Sequence, residues 1–523
     1  MTAGLSVACS QLLRRRLCAF LGNVGRCIAT SADVIIRNKL SLPPNSATNF
    51  AEYVIGGARG RENQTAVVCS DSGRLVSFGA LKDAAFRWGG YLLTKGLGRG
   101  SVVAVLSPNM VDYPAVVFGT ISVGCVYTGI NPNYTATEVA HQLKDSGAEM
   151  VVVFGPLLEV AKKAMAINKH DLPMVAIGPS DGLPNVADIV QDATINFADP
   201  AKLRHQVSTY ASAECPSLVM TLPMFHLSGF LAISSLAILN GIKLLNITKF
   251  KPQTFIEILL EHKVNMMHLV PSLLNFALAH PKFTRQNFSH VDAVLSGAAP
   301  VPPTAVAKVS DVIAPHGQLL HIYGMTETLI SHQDPVGDTR VGFTGQLLPG
   351  LEGKVVDLTT GEDLPVGQVG ELCTRGPTLM KAYHNNAEAT AATLDQDGWL
   401  HSGDVGRYDV DGYVSVVDRI KELIKVNSLQ VSPSEIEDVI LQLPQVVEVS
   451  VVGVPHDMTG EAPRAYITTK GGIDEKTVMA HVQQHCAKHK HLTGGVAILA
   501  ELPKNATGKV MRKELVKLAA AGK

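Results

Sequence analysis

Short β-branched runs alternate with amphipathic stretches through much of the chain. "SVVAVLSPN" (101–109) is apolar enough to predict a buried strand. "MVDYPAVVFGTISVG" then predicts a helix, and "CVYTGINP" the next strand and turn. "EVAHQLKDSGAEMVVVF" (138–154) repeats helix then strand. "QTFIEILLEHKVNMMHLVPSLLNFALAH" and "VDAVLSGAAP" continue the pattern. Continuous apolar strands spaced by helices predict a parallel sheet covered on both faces. Near residue 340 the pattern changes. "GFTGQLLPGLEGKVVDLTTGEDLPVGQVGELCTRGPTLM" is punctuated by Gly and Pro between short runs, which predicts an antiparallel β subdomain. Farther on, Ser432 stands as a helix N-cap, with Pro433 at the first helical position and Glu435 at capping-box spacing. A boundary at Arg419–Lys421 leaves a small C-terminal α/β domain.

Two uncharged stretches are long enough to test as membrane spans. The one from Tyr113 is interrupted by Gly119, Gly124, Gly129 and Pro132. The one from Cys215 to Ile242 is interrupted by Pro216, Pro223, Gly229, Asn240 and Gly241. A spanning helix needs about 20 predominantly apolar residues, so both are read as buried helix-plus-strand pairs. Peripheral membrane contact stays open.

Composition narrows the function. The 523 residues carry a formal net charge of -1, with 17% charged and 5% aromatic residues. A concentrated basic face and a base-stacking surface, the needs of a nucleic-acid binder, are not in evidence. The eight cysteines (Cys9, Cys18, Cys27, Cys69, Cys125, Cys215, Cys373, Cys486) include no C-x-x-C pair, which argues against a zinc site or a disulfide framework. Residues 1–32 are rich in Ser, Ala and Leu. They hold Arg14, Arg15, Arg16 and Arg26, with no acidic residue before Asp33. That composition fits a mitochondrial transit peptide, a matrix address; a disordered basic tail or a poor secretory signal shares it, and a cytoplasmic protein is the alternative. "KLAAAGK" is not a peroxisomal SKL-type ending.

Three stretches can carry chemistry. In "LLHIYGMTET" (319–328) an apolar strand runs into Thr326, Glu327 and Thr328. A carboxylate beside hydroxyls at a strand end suits a metal–phosphate site, and an ordinary helix N-cap with an acidic first turn is the alternative. In "DGWLHSGDVGRYDVDGYVSVVDRIKELIK" (397–425) Asp404 sits between glycines, where a carboxylate can reach a ribose diol. Ordinary turn chemistry is the alternative. In "LPKNATGKVMRKEL" (502–515) Lys509 follows a glycine ahead of a helix. It can neutralise phosphate, or belong to a solvated basic face.

Together these stretches resemble the adenylate-forming acyl-CoA synthetases, the superfamily of 4-coumarate–CoA ligases, fatty-acyl-CoA synthetases and luciferases, over residues 40 to 515. "YGMTE", "GELCTRGPTLMKAYHNN", "GWLHSGDVG", "VDRIKELIK", "VSPSEIE" and "PKNATGK" carry the resemblance, with "PMFHLSGF" and "GAAP" (297–300). It implies an α/β protein: a large N-terminal domain (33–419) of helix-covered sheets plus a β subdomain, and a small mobile C-terminal domain (420–523). It implies an acid–CoA ligase that uses ATP, Mg2+ and coenzyme A and passes through an acyl-adenylate. The implied roles are residue by residue. Glu327 associates with magnesium and Thr326 lies near phosphate. Asp404 and Arg419 hold the ribose. Gly297, Ala298, Tyr323 and Gly324 line the adenine and acyl sites. Lys509 serves adenylation. Lys421 is the hinge, Lys425 and Gln430 face the thioester half-reaction, and His226 gates the acyl and pantetheine tunnels, where a hydrogen-bonded core histidine is the alternative.

The chain also departs from the resemblance. The family carries a Ser/Thr/Gly-rich loop ending Pro-Lys-Gly upstream of "PMFH". Residues 195–225, "INFADPAKLRHQVSTYASAECPSLVMTLPMF", contain no glycine. A loop that cradles phosphates with backbone N–H groups and a lysine is therefore expected to be deleted near 208–221. Asn427-Ser428 replaces Lys-Gly, which predicts backbone strain at serine, and Ala382 replaces a glycine. Two readings follow: a ligase, or a catalytically impaired deletion form or pseudoenzyme that still binds nucleotide or acyl ligand. A luciferase-like oxygenase is a third.

Overall fold

The computed structural model describes residues 34–38, 49–180, 182–198, 216–297, 301, 303–427, 429–456, 458–505 and 510–522. The basic leader 1–32, the stretch 208–215 of the expected deletion, Ala298, Ser428 and Lys509 lie outside them.

Among the described residues, strands Val126–Ile130, Val102–Leu106, Met150–Phe154 and Met174–Ile177 form one all-parallel sheet in that order. The first three are the strands read from the sequence, and Met174–Ile177 extends the sheet beyond that reading. Both faces are packed, as parallel sheets require. Helix Ala136–Ser146 between two of them starts on a capping box: Thr135 accepts the Glu138 N–H, and Glu138 reaches back to Thr135.

A second sheet of nine strands is larger. Its centre runs Gln318–Met325, Ala293–Ser296, Met266–His268, Ser217–Met220, Lys243–Asn246 and Thr65–Cys69, all parallel. Antiparallel strands complete both edges, Leu329–Gln333 and Gln346–Leu347 on one side and Leu75–Ser77 on the other. The two sheets share one core, in which Trp88, Tyr113, Phe118 and Phe230 are buried. Fully burying a side chain of this size stabilises by about 1.5–3 kcal/mol.

The change of pattern near residue 340 is a change of architecture. Strands Glu352–Val356, Gly370–Arg375, Leu400–Tyr408 and Val414–Arg419 form an antiparallel sheet. From Ile424 onward the chain builds another sheet from Leu429–Val431, Ile424–Val426, Gly460–Thr469, Val446–His456 and Val496–Ile498. It is covered by helices Pro433–Ile440 and Glu475–His485 and has its own core. The uncharged stretch from Cys215 folds as strand Ser217–Met220 and then a helix broken by a π turn. No helix among the described residues is long and apolar enough to cross a membrane.

Candidate active site

Strand Gln318–Met325 doubles back through Thr326–Thr328 into Leu329–Gln333. The Thr326–Thr328 stretch is therefore a hairpin tip rather than a helix N-cap. Thr328 Oγ1 accepts the Met325 N–H at 3.2 Å, and Leu329 takes a left-handed φ of +62° to close the turn. Gly324 sits at a bulge in this pairing, and a Cβ there would lie 1.9 Å from the Leu329 carbonyl oxygen. The two backbones approach too closely for any side chain. Thr326 is exposed at the tip and Glu327 is half-buried. Tyr383 donates its hydroxyl to Glu327 Oε1 at 2.6 Å, and the Met380 N–H donates to the Glu327 carbonyl at 2.7 Å. Burial, reinforced by that carboxylate, raises the Tyr383 pKa.

The same strand brings Tyr323 to Asp404. Tyr323 donates to Asp404 Oδ2 at 2.7 Å, and Arg419 Nε lies 3.0 Å from Asp404 Oδ1. Asp404 and Arg419 stand directly opposite in neighbouring antiparallel strands, so the pair is set by register. Asp404 is nearly enclosed while Arg419 keeps about half its side chain in solvent. Burial, then the Asp404 charge, pushes the Tyr323 phenol well above its ordinary range, so it remains a donor. The turn before Asp404 is anchored by Glu371, which accepts the Gly403 N–H and meets His401 Nδ1, each at 2.9 Å. Cys373 Sγ lies 3.5 Å from the same ring nitrogen. These three side chains satisfy one another.

His226 lies on the segment leaving strand Ser217–Met220. Its Nδ1 accepts the Ser228 N–H and meets Ser228 Oγ at 2.7 Å. Burial lowers its pKa, which keeps the ring neutral at neutral pH. A π turn, Ser228–Ser234, follows immediately, and such turns are enriched at functional sites. Sequence reasoning missed the residue that holds this segment. Buried Asn109, in the loop after strand Val102–Leu106 of the neighbouring sheet, donates to the Leu222 carbonyl at 2.8 Å and accepts the Met224 N–H at 2.6 Å. Gly297 ends strand Ala293–Ser296 where a Cβ would meet the Ile322 carbonyl oxygen at 2.5 Å. It thus lies against the strand that carries Tyr323.

Lys421 falls in the short 3-10 turn Ile420–Glu422, and Lys425 and Gln430 pair across an exposed hairpin. No hydrogen bond or ion pair among the described residues joins these three to Glu327, Tyr323 or Asp404. The left-handed turn here falls on Asn427, φ +49°, a residue type that tolerates it. Around Lys421 the structure adds a cluster the motifs did not suggest. Arg512 contacts Asp418, Glu422 and Glu437, the last at 2.7 Å. Asp418 Oδ2 also accepts from Ser432 Oγ at 2.8 Å and the Ser434 N–H at 3.0 Å. The N-cap read at Ser432 is present, with the Glu435 N–H donated to its hydroxyl.

Comparison with known proteins fits this geometry. The family model "AMP-binding enzyme" matches residues 57–194 and 180–384, and "AMP-binding enzyme C-terminal domain" matches 435–509. The chain is similar to the probable CoA ligase CCL5 of Humulus lupulus, 30% identical over 95% of this chain and 97% of that one. It is likewise 30% identical to the peroxisomal OPC-8:0-CoA ligase 1 of Arabidopsis thaliana, over 95% and 97%. Among solved structures, ATP-bound MatB from Rhodopseudomonas palustris superposes with a TM-score of 0.80 at 25% identity, covering 90% of this chain and 99% of that one. With both family models matched in order along one chain, the protein belongs to the AMP-binding enzyme family.

Proposed function

We propose that the protein is an AMP-forming acid–CoA ligase. The observation that carries the reading is the Tyr323–Asp404–Arg419 group beside the Glu327 hairpin, in a chain whose relatives are named as CoA ligases. Asp404, held by Tyr323 and Arg419, accepts from the ribose hydroxyls of ATP. The acid's carboxylate attacks the α-phosphorus, pyrophosphate leaves, and an acyl-adenylate forms. The thiol of coenzyme A then attacks the acyl carbonyl, loses its proton, and AMP leaves. Glu327 fits a magnesium role: one oxygen is occupied by Tyr383, while Oε2 has no hydrogen bond among the described residues. Hard cations of this kind bind through one or two carboxylates plus substrate phosphates. The ion would supply charge neutralisation on those phosphates. Formation of AMP and acyl-CoA from ATP, CoA and a panel of aliphatic and aryl acids tests the reading; no product with any acid would overturn it. The acid is read as fatty or aryl, and small Ser228 and Gly229 beside His226 support room for a sizeable acyl group.

A second proposal concerns how well this chain handles phosphate. The alignment with the Humulus protein runs over 544 positions against 523 residues in this chain, so at least 21 aligned positions (544 − 523) have no residue here. The glycine-free stretch 195–225 supports placing that gap at the phosphate loop. Removing one preorganised donor costs about 10²–10³ in rate. A chain without the loop binds acyl-adenylate yet turns ATP over slowly. Pyrophosphate release at a rate typical of ligases, abolished by Lys509→Ala, would sink this proposal. The basic leader supports a mitochondrial address, and imaging of a C-terminally tagged chain with and without residues 1–32 tests it.

A further inference from the structure

We propose that His268 recognises an uncharged oxygen, a hydroxyl or keto group, carried along the chain of the acid this protein accepts. The inference rests on the ligase reading and adds a substrate class to it.

His268 ends strand Met266–His268 and is 3% exposed. Among the described residues neither ring nitrogen has a hydrogen-bond partner, and no other side chain leaves two buried polar atoms unpaired. Folded proteins pair the great majority of such groups, so each exception needs a cause. Burial lowers the pKa of this imidazole to about 4, so at neutral pH it presents one N–H donor and one lone pair. The nearby hydroxyls are committed elsewhere. Thr221 Oγ1 donates to the His268 carbonyl at 3.0 Å, and Ser296 Oγ to the Leu269 carbonyl at 2.8 Å.

Its position says what could satisfy it. Strand Met266–His268 lies between Ser217–Met220, which runs on to His226, and Ala293–Ser296, which runs on to Gly297. Ligands of parallel sheets bind beyond the carboxyl ends of the strands. Met267 packs into the core on one face and Met266 into the core on the other. Alternation therefore puts the His268 ring on the face of Met266, shared with Leu222, Met224 and Phe230. In the same row, beyond Met220, Asn246 Oδ1 is also buried and has no partner among the described residues. An apolar wall with isolated polar demands fits a largely apolar chain bearing a neutral oxygen. A second carboxylate fits poorly, since a buried charge beside a neutral ring lacks a counter-ion.

The test uses the full chain and acyl-sulfamoyl-adenosine analogues, which carry a stable mimic of the adenylate and require no phosphate chemistry. The parent saturated acyl analogue is compared by calorimetry with a positional series of monohydroxy analogues. One position is expected to bind at least about tenfold tighter than the parent. His268→Leu should erase that preference while holding the parent, with melting confirming the fold. His268→Gln, which keeps a donor and an acceptor, should retain part of the preference and carries the test if the leucine variant does not fold. Equal affinities across the series, or a preference that survives His268→Leu, would overturn the proposal. If no analogue binds, the ligase reading itself fails and the proposal falls with it.

Discussion

Tyr323 and Asp404 lie 81 residues apart and meet at 2.7 Å, joining the end of the large parallel sheet to the antiparallel sheet beside it. The contact makes the Asp404 carboxylate a shared property of two layers. Tyr323→Phe removes one donor and Asp404→Asn removes the charge that Arg419 faces. Hydrogen bonds to charged groups contribute about 1.5–3 kcal/mol, so the affinity for an acyl-adenylate analogue should fall roughly tenfold to a hundredfold for Asp404→Asn. Calorimetric titration of both variants checks this; unchanged affinity in Asp404→Asn would remove Asp404 from the site.

Arg512 is enclosed with Asp418, Glu422 and Glu437, and burial raises the pKa of Glu437 even beside that cation. Arg512→Met leaves the acids without their counter-charge. Breaking a buried pair from one side costs about 3–5 kcal/mol. A drop in the denaturant midpoint of that order is expected, smaller for Arg512→Lys, and a shift under about 0.5 kcal/mol would show that the cluster is inert.

His332 is fully buried, bonded to Ser331 Oγ and Tyr408, and its pKa is pushed down to about 3 by desolvation. In the unfolded chain the ring takes up a proton near its ordinary 6.5. Below that pH the unfolded state therefore binds the extra proton and the folded state does not. Stability is complete above pH 6.5 and declines as pH falls toward 3, by up to about 1.4 kcal/mol per pH unit. His332→Gln should flatten the stability profile in this window, as read from urea midpoints between pH 4 and 7.

Gly324→Ala sets a methyl 1.9 Å from the Leu329 carbonyl oxygen. The hairpin must open to admit it, displacing Glu327. Overpacking of this kind costs about 1–3 kcal/mol, and adenylation should fall more than the melting temperature suggests. An alanine variant with full activity would show that the hairpin tip is free to move.

The parallel strands between 102 and 154 were legible because continuous apolar runs between amphipathic helices have few other solutions. The antiparallel turn of Thr326–Thr328 was not, because whether a strand doubles back depends on a partner strand supplied by the same local residues in either case. The shared ribose role of Asp404 and Arg419 came from resemblance, while their facing each other is a matter of register that no motif stated. Arg512, Asn109 and His268 stayed hidden for a common reason. A buried ion cluster, a cross-sheet amide and an unpaired imidazole are defined by what surrounds them, and no local spacing encodes surroundings.

Asn109 lies in the loop after strand Val102–Leu106 of one sheet and grips the 222–224 backbone that follows strand Ser217–Met220 of the other, two residues short of His226. The histidine's position is thus surveyed from outside its own strand. A slip between the two layers moves the ring as a pointer moves when its mount shifts, with every local bond around it intact. On the proposal that His226 faces the acid, substitutions in the 107–109 loop retune acyl selection from a distance, and screens confined to residues that touch the acid would overlook them.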